Sequence, residues 1–134
     1  MANIIDIEGI GEVYAKKLQE AGVITTDGLL KDGASPAQRT ALAQKTGISG
    51  ALILKWVNRA DLFRIKGVGE EYSDLLEAAG VDSVVELAKR KADNLHQKLV
   101  ETNKAKKLVR VVPGPEKVAE WVRSAAELPR AVSH

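Results

Sequence analysis

The chain has 134 residues, enough for one ordinary domain or two small ones, and with 45% apolar and 28% charged residues it has the composition of a soluble globular protein. Disorder and collagen-like architecture are excluded; with no cysteine and only His96 and His134, so are disulfides, thiolate metal sites and cysteine nucleophiles, and most acid/base constellations lose their usual residue. Net charge is only +2, no run approaches ~18 uncharged apolar residues, and the acidic start "MANIIDIEGIGE" lacks the bases of a signal or transit peptide, so a cytoplasmic location without membrane contact is expected.

Taken in chain order, every strong segment has a helical period. In "EVYAKKLQEAG" the apolar positions Val13, Tyr14, Leu18 and Ala21 recur at three- and four-residue spacing, and Gly22 supplies a stop. Thr26 and Asp27 start a short helix that turns Leu29 and Leu30 inward. Ser35-Pro36 is a cap followed by a first-turn proline, and Leu42 continues that helix to Gly47. Ser49 caps "GALILKWVNRADL", and the junction "WVNRADLFRIKG" reads as continuous helix, having no glycine, proline or serine run. The same plan returns through Ser83, Asp93 and Gly114-Pro115. No segment alternates with period two, so the expected class is all-α.

The return is a copy. Residues 7 to 29 match 65 to 87 at a constant offset of 58, with identities at Ile7/Ile65, Gly9/Gly67, Gly11/Gly69, Glu12/Glu70, Tyr14/Tyr72, Leu18/Leu76, Ala21/Ala79, Gly22/Gly80, Val23/Val81 and Leu29/Leu87. Trp56, Val57 and Ala60 match Trp121, Val122 and Ala125 at an offset of 65, which places a seven-residue insertion at "NKAKKLVRVVPGP". Two tandem pseudo-repeats are expected, at 1–61 and 62–128, packed together and followed by a tail at 129–134 whose His134 is frayed.

The unit "I-x-G-I-G-E-x-Y-x-x-x-L" has a physical logic. Glycines permit a tight turn, the middle residue, Ile10 or Val68, tucks between helices, and amides at the following helix start have no helical partner and sit at a positive dipole end. Such a turn can hold a phosphate oxygen. The pattern resembles the helix-hairpin-helix motif. The resemblance implies a five-helix paired helix-hairpin-helix unit in each half, whose hairpins grip the two strands of a duplex. The wider run from "TGIS" through "ILKWVNRADLFRIKGVGEEYSDLLEAAGVDSVVELAKR", "NKAKKLVR" and "LPRAV" is similar to the uncharacterised bacterial family known as domain of unknown function 4332. That likeness implies fold and assigns no role.

Charge is segmented: residues 1–35, 36–66, 67–88 and 89–123 carry −3, +5, −6 and +6. The glycine turns lie in acidic stretches, Glu8 and Glu12 flanking one and Glu70 and Glu71 following the other, and these acids oppose phosphate. The expected nucleic-acid contacts are therefore Gly9, Ile10 and Gly11 in the first turn; Lys66, Gly67, Val68 and Gly69 in the second; and the bases Arg39, Lys55, Arg59, Lys104, Lys106, Lys107 and Arg110. Tyr14, Tyr72, Trp56 and Trp121 lie on apolar helix faces and are expected in the core. His96 falls where the other copy has Gln38, an exposed helical position, and Asp74, Glu77, Asp82 and Glu86 lack a metal-ligand spacing. The function expected is a non-catalytic module, without cofactor or metal, that binds duplex DNA nonspecifically through backbone phosphates; the alternative is a protein-interaction or self-association module using the complementary charged segments.

Overall fold

A computed structural model describes residues 3–7 and 9–134. It is all-α: a 3-10 turn, Ile4–Asp6, precedes helices α1 (Glu12–Glu20), α2 (Thr26–Asp32), α3 (Pro36–Thr46), α4 (Gly50–Leu62), α5 (Glu70–Ala78), α6 (Val84–Ala88), α7 (Ala92–Lys106) and α8 (Pro115–Glu127). Among the described residues the extended pairing is limited to one bridge between Asn3 and Thr25. No helix is long and apolar enough to cross a membrane among those residues. The chain forms two compact units, residues 1–61 with 130–134, and residues 62–129.

In the first unit the helix boundaries follow local chemistry. Thr25 accepts the amide of Gly28 and opens α2, while Ser35 and Gln38 form a reciprocal capping box on α3, with Pro36 in its first turn. At the end of α1, Gly22 N–H donates to Gln19 O and Val23 N–H to Leu18 O, a Schellman closure that buries Val23 with Leu18. Ile4, Ile7, Ile10, Leu29, Ile53, Trp56 and Val57 complete this core.

The terminal residues depart from the expected tail. Val132 is buried, Ser133 N–H donates to Ala34 O at 2.7 Å, and His134 Nε2 lies 2.7 Å from Asn58 Oδ1. The segment 130–134 therefore belongs to the first unit, and His134 is not frayed. A buried valine and paired backbone outweigh the entropy of a free end.

The second unit begins at Leu62 and has four α-helices. Ser83 caps α6, and α5 ends in the same closure, Gly80 N–H to Glu77 O and Val81 N–H to Leu76 O. Helix α8 packs on α6 and α7, and α7 on α5, around Leu62, Ile65, Leu75, Leu76, Leu87, Leu99 and Trp121. Asp93 does not cap α7: its N-cap is Lys91, which makes no side-chain cap bond. The extra length of this half is also divided differently from the single insertion expected. Helix α7 is four residues longer than α3, the connection after it (107–114) is five longer than 47–49, and α6 is two shorter than α2.

Candidate functional site

The two glycine turns have one geometry. In the first, Ile7 N–H donates to Ile4 O and Ile10 N–H to Ile7 O, after which Gly11 is the extended N-cap of α1. In the second, Ile65 N–H donates to Leu62 O, Val68 N–H to Ile65 O, and Gly69 is the extended N-cap of α5. Gly9 and Gly67 have φ of +93° and +89°, the left-handed region that favours glycine. Each also faces an indole: a Cβ on Gly9 would stand 3.6 Å from Trp56 Nε1, and one on Gly67 only 3.3 Å from Trp121 Nε1. The indoles are buried and held by tilted contacts, Tyr14 with Trp56 at 5.1 Å and Tyr72 with Trp121 at 5.3 Å between ring centroids.

Neither helix start carries a side-chain cap, so the first-turn amides of α1 and α5 lack intrahelical partners. Ile10 and Val68 do not contribute to that donor set. Their side chains are buried and their N–H groups are spent on Ile7 and Ile65 carbonyls. Glu12, Glu70 and Glu71 lie exposed in the first turns, where they complement the positive end of each helix dipole while opposing a phosphate. Glu8, the other acid expected at the first turn, lies outside the described residues.

The two turns differ in their cations. In the second, Lys66 is exposed beside Gly67, and Lys117, one helical turn before Trp121, reaches over it: its Cε is 3.7 Å from the place of a Gly67 Cβ and its Nζ 5.4 Å from the Tyr72 ring centroid. The residue aligned with Lys117 in the first half is Leu52. Lys117 was not among the expected contacts, yet it was findable: a residue four before the tryptophan that covers the turn shares its helix face.

Of the other expected bases, Lys104, Lys106, Lys107 and Arg110 are exposed at the end of α7 and in the connection after it. That connection is held by Asn103, whose Nδ2 donates to Val109 O and whose Oδ1 accepts from Val109 N–H, and by the Tyr72 hydroxyl donating to Val111 O. Lys55 is exposed on α4. Arg39 and Arg59 are buried. The Arg39 guanidinium donates to Gly33 O at 2.8 Å and Ser133 O at 2.7 Å, and burial lowers its pKa from the ordinary value. Arg39 therefore secures the terminal segment and is not presented to a phosphate. Its position on a helix surface in the sequence gave no sign of this, because its partner lies 94 residues away.

Among the described residues no group of three or more metal-ligating side chains gathers. A family model described as "Domain of unknown function (DUF4332)" matches residues 8–128. No curated protein and no solved structure matches the chain.

Proposed function

Because the chain belongs to the family described as domain of unknown function DUF4332, a description that names no chemistry, its own geometry carries the reading, and we propose a non-catalytic module of two paired helix-hairpin-helix pseudo-repeats that holds nucleic-acid backbone without reading bases. The observation behind this is the second glycine turn. There, uncapped amides at a helix start stand beside Lys66 and Lys117, and a phosphate oxygen at that place would receive both hydrogen bonds and positive charge. The first turn, with Leu52 aligned to Lys117 and Glu12 alongside, then serves structure. Lys104, Lys106, Lys107 and Arg110 supply further phosphate contacts in the same half.

Binding of this kind is weak, insensitive to sequence and steeply salt-dependent, since counterion release is its main term. Fluorescence anisotropy with two unrelated duplexes at about 50 and 200 mM salt tests it, a range over which several phosphate contacts weaken by orders of magnitude. Lys117→Glu and the triple change of Lys104, Lys106 and Lys107 to Glu should each reduce binding to both duplexes alike. Absence of binding at the lower salt would overturn the reading and favour protein docking. That second reading has an observation of its own: Ile5, Val13 and Ile24 of the first unit are exposed.

A further inference from the structure

Each unit has a cavity between the C-cap of the helix that follows its glycine turn and one face of its third helix. In the first unit this cavity, about 290 Å³, is lined by Asp32, Gln38 and Lys45 together with apolar groups, and the Lys45 ammonium donates to Ala21 O. One acid and one base leave it near neutral. In the second unit the cavity is about 450 Å³, inside the range of ~300–1,000 Å³ usual for ligand sites, and Lys89, Arg90, Lys91, Asn94 and Lys98 line it without a carboxylate.

Arg90 is committed. Its guanidinium pairs with Glu86 at 3.2 Å and donates to Gly80 O at 3.0 Å. The ammonium groups of Lys89, Lys91 and Lys98, by contrast, make no hydrogen bond or ion pair among the described residues; only their backbones are engaged, as in Thr102 Oγ1 donating to Lys98 O. Their placement also works against the helix they flank. Where the first unit closes α3 with the Ser35–Gln38 capping box, the second has Lys91 as N-cap, no side-chain cap and three consecutive bases at the positive end of the α7 dipole. Asp93 in the first turn offsets part of that charge. A helix of 15 residues with cations at its start is relieved by an anion seated there.

We propose that this cavity of the second unit binds anions that carry adjacent phosphate groups. A single carboxylate or phosphate does not fit the spacing, because Lys91 and Lys98 are seven residues apart on one helix face, a rise of roughly 10 Å. Three unpaired ammonium groups over that distance match two or three linked phosphates, with Asn94 between them as a neutral donor. Linked phosphates occur in the polyphosphate chain of a nucleotide and in a nucleic-acid backbone, and the site's chemistry is shared by both. The proposal is independent of the second glycine turn and of the Lys104 cluster.

The test is a titration of the full chain with inorganic tripolyphosphate followed by amide NMR shifts. The amides of residues 89–95 should move, while those of 33–39, the matching stretch of the first unit, stay in place as an internal control. The triple variant Lys89→Gln, Lys91→Gln and Lys98→Gln should keep the fold, since all three side chains are exposed, and lose at least tenfold in affinity. In Lys117→Glu and in the Lys104, Lys106 and Lys107 variant the amides of 89–95 should still move on titration, whatever is lost at the glycine turn, so a failure of the duplex reading leaves this site standing. Shifts spread equally over both units, or a triple variant within twofold of the parent, would overturn it. Competition with an unlabelled duplex then names the source: displacement means a nucleic-acid backbone, and persistence means a free polyphosphate.

Discussion

Gly67 and Gly69 stand two residues apart and meet different demands. Gly67 is left-handed and has the Trp121 indole 3.3 Å from where a side chain would begin, whereas Gly69 is extended at φ −99°, with open space around its missing Cβ. The sequence pattern suggests that both need positive φ; only the first does. Gly67→Ala should therefore cost about 1–2 kcal/mol, the penalty of a side chain in the left-handed region, and Gly67→Val more. Gly69→Ser should gain a few tenths of a kcal/mol, because a serine N-cap caps slightly better than glycine. Thermal melts of the two variants check this, and equal losses at both positions would contradict the geometry. Gly9 and Gly11 divide the same way, at φ +93° and −81°.

At the scale of helices, caps distinguish α3 from α7. Ser35→Ala removes the capping box and should lower stability by about 1 kcal/mol. Lys91→Ser should raise it by roughly 0.5–1 kcal/mol in phosphate-free buffer, since it restores a cap and removes a cation from the positive dipole end. Denaturant titrations of both variants give the two signs. The starts of α3, α4 and α6 were legible in the sequence because the signals are local: Ser35, Ser49 and Ser83 each cap a neighbour three residues on, whereas α2 is capped by Thr25, one residue before the expected start, and α4 stops at Leu62 where the junction reads as continuous helix. Other features were not legible, for a reason common to them all. Arg39 meets Ser133, Tyr72 meets Val111 and Lys117 covers Gly67, and each contact joins residues tens of positions apart, where no spacing rule operates. The second cavity is a partial exception: Lys91, Asn94 and Lys98 share a face of α7 by spacing, but the wall formed by Ala79 comes from another helix and is brought there only by folding. Residue type alone likewise could not separate buried Arg39 and Arg59 from exposed Lys104 and Lys106.

Across the whole molecule, one consequence of the terminal segment is mechanical. Removing residues 130–134 would expose the pocket of Val132, worth about 1.5–3 kcal/mol, and strand Arg39, which now donates to Ser133 O. We expect the truncated chain to lose about 3–6 kcal/mol, the sum of that burial and the lost charge-assisted bond, with the loss of amide protection concentrated in residues 3–61. Arg39→Met should reproduce part of it. Hydrogen exchange resolved by residue makes the comparison, and uniform loss across 62–129 would refute it.

The first unit is thus closed by residues that are made after the whole of the second. After residue 61 has been joined, 72 more must be added before Ser133 exists to meet Ala34. At ~5–20 residues per second that is a delay of roughly 4 to 14 s. During it, residues 62–129 emerge as one unbroken stretch holding every part of their own core. The half that is translated first is the half that matures second, and a chaperone or protease that reads exposed apolar surface would meet it in that interval.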